Sequence, residues 1–194
     1  MKVIAFNGSP REEGNTHYMI EEAAKVLRSR GVEVEEVRIG GRTLRGCNVC
    51  FSCKEKKDGR CAIDSDPVND WIAKMIEVDG IILGSPSYFA DLSPELKALI
   101  DRAGFVTRAG GGLLGRKVGA AVVAMRRAGA CHAFDSINHF FLSSRMVVAG
   151  SNALNIGIGG EKGAVLQDAE GLANLRALGE NMAWLMERIG SGKP

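Results

Sequence analysis

Apolar residues along this chain fall into two kinds of run. Val3-Ile4-Ala5-Phe6, Gly80-Ile81-Ile82-Leu83-Gly84, Lys117 to Met125 and Met146-Val147-Val148 are short and apolar nearly throughout. That is how strands buried on both faces read. Val32 to Ile39 is a weaker strand, and its adjacent Glu35 and Glu36 suit a sheet edge. Elsewhere apolar positions recur every three to four residues. Met19, Ile20, Ala23, Ala24 and Leu27 make one helix face that ends near Gly31. Asp66-Pro67 opens a helix with Trp71, Met75 and Ile76 inward. Ser93-Pro94-Glu95 starts another, with proline in the first turn and Leu96, Leu99 and Ile100 as its apolar face. Leu172, Leu175, Leu178, Met182, Leu185 and Ile189 trace a long final helix. The alternation predicts a three-layer α/β sandwich with a five-stranded parallel sheet covered on both faces. Such sheets bind ligands at the carboxyl ends of the strands, where the strand order switches. The first and third strands end here at Gly8 and Gly84, and polar loops begin there.

Composition narrows the classes. At 194 residues the chain is expected to be one domain, 1–194, with a cysteine-rich insertion at about 44–66. A net charge of +2 gives no field for nucleic acid. No apolar run approaches the roughly 18 residues of a membrane span, so no membrane partner is expected. Met1-Lys2 is followed by only four apolar residues, unlike a signal peptide, which points to the cytoplasm. In that compartment five cysteines argue for metal or redox chemistry over structural disulfides.

Candidate chemistry sits in three loops. Asn7 to Thr16 runs from a buried strand onto a helix start, whose unpartnered N–H groups and positive dipole end attract an anion. Ser9, Arg11, Asn15 and Thr16 are the expected phosphate donors. Gly14-Asn15-Thr16 lacks the lysine of a Walker loop, and Gly8 to Gly14 does not supply Gly-x-Gly-x-x-Gly. A single phosphomonoester fits best; an ordinary capped helix is the plainer alternative. Gly84 to Asp91 offers backbone N–H groups beside Tyr88 and Phe89, which suits a flat heteroaromatic ring as well as a proline-containing turn. Arg126-Arg127-Ala128-Gly129 leaves the 117–125 strand at the same edge, placing Arg126 and Gly129 near a ring or a second nucleotide, or simply in solvent.

Gly8-Ser9-Pro10-Arg11 with Gly14-Asn15-Thr16, then Gly84-Ser85-Pro86-Ser87-Tyr88-Phe89, then Leu96-Lys97 and Ile100-Asp101-Arg102, resemble the NADPH-dependent FMN reductase family of flavodoxin-like proteins. The resemblance runs from Met1 to about Gly160. It implies FMN as cofactor, with the phosphate on Ser9, Arg11, Asn15 and Thr16 and the isoalloxazine against Pro86, Ser87, Tyr88 and Phe89. It also implies NAD(P)H as co-substrate and a homodimer or homotetramer. Ala90 stands where many members have glycine.

Cys47-x2-Cys50-x2-Cys53-x7-Cys61 places four thiols in one short segment. Four thiolates suit a [4Fe–4S] cluster or zinc, and consecutive two-residue gaps are the more typical of clusters. The motif resembles the iron-sulfur flavoprotein branch of the family, which implies Cys47, Cys50, Cys53 and Cys61 as cluster ligands. Gly59-Arg60-Cys61 before Asp64-Ser65-Asp66 also fits cluster-free relatives, so unligated or disulfide-forming thiols stay open. Cys131 is expected to be buried filler. His17, His132 and His139 have no metal spacing, and no catalytic acid or base stands out. The expected activity is flavin-mediated electron transfer from NAD(P)H or ferredoxin. A non-enzymatic electron carrier is the rival, and a flavin-free scaffold a third class. Aromatics from Phe134 to Phe140-Phe141 read as an interface patch or as core.

Overall fold

A computed structural model of the chain describes residues 1–190; the last four residues of the expected 1–194 unit lie outside the described ones. The strands are β1 (Lys2–Asn7), β2 (Glu33–Arg38), β3 (Gly80–Pro86), β4 (Val118–Met125), β5 (Val147–Val148) and β6 (Ile156–Ile158). The helices are α1 (Asn15–Ser29), α2 (Ser52–Lys56), α3 (Val68–Glu77), α4 (Pro94–Ala109), α5 (Ala130–Ser143) and α6 (Ala169–Gly190), with a 3-10 turn at Ala164–Gln167. The sheet is parallel with order β2-β1-β3-β4-β5, the flavodoxin-like order expected. The switch beside β1 and β3 brings Gly8 N–H within 2.8 Å of the Gly84 carbonyl.

The fifth strand position is divided. β5 pairs with the start of β4 and β6 with its end. Asn155 fills the gap: its backbone carbonyl accepts the Val123 N–H at 3.0 Å and its side-chain amide donates to Ala121 O at 3.0 Å. At Ala121 a side-chain donor thus stands in for a strand N–H, and no periodicity in the sequence announces that.

Alternating strand residues feed two cores. Ile4, Phe6, Ile81, Leu83, Ala121 and Val123 pack with α3, α4 and α5. Val3, Ala5, Ile82, Ala120 and Val122 pack with α1 and α6. The aromatic segment at 134–141 belongs to the first core: Phe140 is 5% and Phe141 0% exposed. Of the two readings left open for this segment, interface patch or core, the structure takes the core. The reason lies opposite, where a Cβ at Gly119 of β4 would come within 2.8 Å of the Phe141 ring. Cys131 is corrected, from buried filler to an exposed thiol in the first turn of α5. No helix among the described residues is long and apolar enough to cross a membrane.

Candidate functional site

The loop between β1 and α1 is built from short-range bonds. Ser9 N–H donates to Asn7 Oδ1 at 2.9 Å, Arg11 N–H to Ser9 Oγ at 3.3 Å, and Gly14 N–H to Arg11 O at 3.2 Å. The first intrahelical bond of α1 runs from Tyr18 N–H to Gly14 O. The N–H groups of Asn15, Thr16 and His17 precede it and have no helical partner. No side chain caps this helix start, and its first turn carries no acid. Ser9 and Thr16 are buried beside it. A Cβ at Gly14 would sit 3.0 Å from Arg11 and 3.2 Å from Ser9 Oγ, so a larger residue would fill the cradle. An uncapped, acid-free helix start over a glycine-shaped hollow fits a phosphomonoester.

Asn15 does a different job from the one expected of it. Its Nδ2 donates to Gly159 O at 2.8 Å and Glu161 O at 2.9 Å, and its Oδ1 accepts the Val165 N–H at 3.2 Å. The side chain latches the 159–165 loop, which leaves its backbone N–H as its offer to an anion. Arg11 is exposed and reaches the Gly160 carbonyl with one Nη, at 3.1 Å, so most of its donors face outward.

The ring loop also differs in detail. The N–H groups of Ser87 and Tyr88 are engaged by Ala124 O and Asp91 O, and Asp91 N–H returns to Tyr88 O. The loop therefore offers side chains more than backbone donors. Tyr88 to Asp91 is a tight turn with Phe89 and Ala90 both at positive φ, 47° and 67°. Two central residues at positive φ favour glycine or asparagine, so this turn is strained. Ala90→Gly is expected to stabilise the chain by about 0.5–1 kcal/mol. Relief of a left-handed penalty of roughly 1–2 kcal/mol outweighs the added freedom of glycine in the unfolded chain. A rise in the urea midpoint at constant slope would register it.

One cleft is lined by Ser9, Arg11, Asn15, Thr16, Pro86, Ser87, Tyr88 and Arg126, together with Ala124, Met125, Gly159 and Gly160. Eight of the ten expected cofactor contacts thus share it. Phe89 and Gly129 do not line it. Phe89 is fully exposed at the turn tip, and Gly129 packs behind, where a Cβ would meet Ala90 Cα at 2.6 Å. Among the described residues, no histidine or acid lines the cleft. His17 instead sits 2.9 Å from Glu36, whose other oxygen accepts from Asn7 at 2.8 Å.

The cysteines form a second candidate site. All four are free; Cys50 is exposed and Cys47, Cys53 and Cys61 are half-buried. Burial pushes the Cys53 thiol up, and Cys61, Cys47 and Cys50 push the same way. The other three thiols are thus near enough to act on Cys53, and four thiols on one short loop are a donor set that fits a four-thiolate centre. Val49 N–H points to Cys47 Sγ at 3.4 Å. Among the described residues no group of three or more His, Cys, Asp or Glu is gathered tightly enough to hold a metal ion, so a bound centre needs the thiols drawn closer. Val49, Phe51 and Lys57 all carry positive φ, which winds the loop back on itself. Asn69 brackets Cys61, accepting from its N–H at 2.8 Å and donating to its carbonyl at 3.0 Å.

Residues 1–161 match the family described as NADPH-dependent FMN reductase. The chain belongs to that family. An iron-sulfur flavoprotein of Methanocaldococcus jannaschii is 39% identical over 201 residues, covering 97% of this chain and 99% of that protein. An iron-sulfur flavoprotein of Methanosarcina thermophila is 34% identical over 155 residues, 79% of each. A solved flavodoxin from the domain Archaea superposes with a TM-score of 0.62 at 16% identity, covering 96% of this chain and 99% of that one, and shows the shared fold.

What sequence reasoning missed in this family member is the second wall of the cleft. Gly159 and Gly160 follow β6, which pairs beside the end of β4. The run Gly157-Ile158-Gly159-Gly160 was the available signal, since clustered glycines mark close backbone approach. A Cβ at Gly159 would meet Asn15 Nδ2 at 2.9 Å, and one at Gly160 would meet Arg126 at 3.1 Å.

Proposed function

We propose that the chain is an FMN-dependent oxidoreductase that takes electrons from NAD(P)H or a reduced ferredoxin and passes them to an acceptor, with Cys47, Cys50, Cys53 and Cys61 holding a [4Fe–4S] cluster. The observation that carries the reading is the convergence on one cleft of residues from three separate loops: Ser9 to Thr16, Pro86 to Tyr88, and Arg126. When bound, FMN supplies a ring that accepts a hydride or single electrons, and the cluster supplies a one-electron centre. The residues of this chain bind and orient. Thr16, Ser9 and the open N–H groups at the start of α1 take the phosphate, and Arg11 adds a countercharge. Arg126 brings a second positive charge beside Gly160, suited to ring oxygens or to a second anion. Tyr88 and Ser87 border the ring. A cleft without acid or histidine leaves proton supply to solvent and cofactor, which agrees with electron transfer and not with hydrolysis.

The test is anaerobic. Purified protein loaded with FMN is mixed separately with NADPH, NADH and reduced ferredoxin while the flavin absorbance is followed, and iron and sulfide are measured beside it. Bleaching by a nicotinamide and about four irons per chain are expected. Bleaching by ferredoxin alone would make the chain an electron carrier. No FMN retained would end the reading, and FMN without iron would leave a plain flavin reductase.

A further inference from the structure

The most buried charge among the described residues lies beneath the cysteine loop. Arg102, on α4, is 1% exposed. Its Nη1 donates to both Asp66 carboxylate oxygens, at 2.7 and 2.6 Å, and to Arg45 O at 3.3 Å. Its Nη2 donates to Ile63 O at 2.6 Å. Asp66 in turn accepts the N–H groups of Arg45 at 3.2 Å and Val68 at 3.2 Å. Burial alone would push the Asp66 carboxyl up, but the Arg102 guanidinium and these N–H groups hold it below the usual carboxylate range.

The placement of these bonds is telling. Arg45 lies two residues before Cys47, and Ile63 two residues after Cys61. One guanidinium therefore ties together the two ends of the entire four-cysteine segment. Between them the only regular structure is the five-residue α2. A segment with so little internal structure has many conformations, and closing its ends removes a large share of them. The planar fork of arginine reaches two carbonyls and a carboxylate from one point, which the single ammonium of lysine cannot match. The guanidinium Nε is buried with no partner, so the group sits where these acceptors need it at some expense to its own hydrogen bonding.

We propose that Arg102, with Asp66, is a positioning residue for the cysteine site: its clasp on Arg45 and Ile63 pre-organises Cys47, Cys50, Cys53 and Cys61 to hold their metal centre, while the flavin cleft folds without it. This rests on the reading of the four thiols as cluster ligands. It separates two roles that a buried ion pair usually confounds. A well-packed apolar pair often replaces such a pair with little loss of stability. If the clasp were only structural, that replacement would be silent at the thiols.

The experiment compares wild-type protein, the double variant Arg102→Met with Asp66→Leu, and the single variant Arg102→Lys. Each is assayed for unfolding midpoint, FMN per chain, iron retention after anaerobic reconstitution, and alkylation rate of each thiol in the iron-free protein, with exposed Cys50 as the internal standard. The expected result is wild-type FMN content, iron lost at least tenfold faster, and Cys53 and Cys61 alkylated at a rate close to that of Cys50 instead of several-fold slower. Arg102→Lys should fall between, and it carries the test should the double variant not fold. Variants that keep FMN and show unchanged iron retention and unchanged thiol rates overturn the proposal, as does parallel loss of FMN and iron. Wild-type protein that never takes up iron removes the cluster reading instead. The thiol rates then decide the clasp alone: loss of Cys53 and Cys61 protection in the variants retains it, and unchanged rates overturn it.

Discussion

Gly40→Ala is expected to weaken FMN binding at least tenfold in a chain that still folds. Gly40 follows β2, and its N–H donates to Asn7 O at 3.1 Å. A Cβ there would lie 2.2 Å from the Ser9 carbonyl carbon and 2.5 Å from both Gly8 O and Pro10 N. All three are backbone atoms, so no rotamer relieves the overlap. The loop from Gly8 to Pro10 must move, and that loop sets the cradle for the phosphate. Overpacking of this kind costs about 1–3 kcal/mol, and roughly 1.4 kcal/mol is a factor of ten in affinity. Titration of FMN by fluorescence quenching reads the effect, and a urea melt run in parallel confirms folding. Undiminished affinity in a folded variant would mean that the 8–10 loop does not grip the cofactor.

Asn15→Ala should do more damage than its place in a binding loop suggests. The substitution removes the latch on Gly159 O, Glu161 O and Val165 N–H. Each buried backbone group left without a partner costs about 1–3 kcal/mol, and a fall in unfolding free energy of about 2–4 kcal/mol is expected once water re-satisfies part of the loop. Because Gly159 and Gly160 wall the cleft, FMN and riboflavin should weaken together. Arg11→Ala is the contrast. Arg11 is exposed and touches the protein through one carbonyl, so its loss should spare stability and riboflavin and weaken FMN alone. Equal behaviour of the two variants toward FMN and riboflavin would contradict this division.

Much of the fold could be read along the chain. β1, β3 and β4 are apolar nearly throughout because helices cover both their faces, and α1, α3, α4 and α6 show the helical period because each buries one face. α5 was harder. Its aromatics crowd 134–141 and could serve a core or an interface equally, and the gap left at Gly119 for Phe141 decides between them. The ligand loops were legible as residue types, yet several residues have other partners. Tyr88 N–H is closed into its own turn, and Phe89 stands outside the cleft. Arg102 was visible as part of the run Ile100-Asp101-Arg102, but its partners at 45, 63 and 66 were not.

The division follows from range. Strand and helix periods, the glycine-bearing turn ahead of α1 and the Cys47–Cys61 spacing are local patterns, written within a few neighbouring residues, and the amino-acid order alone determines them. The latch of Asn15 on residues 159–165 and the clasp of Arg102 on the cysteine loop join segments far apart in the chain. Which buried donor meets which carbonyl there depends on how helices settle against the sheet. That packing, and not the residue types, decided which side chains face a ligand and which hold the walls of its site.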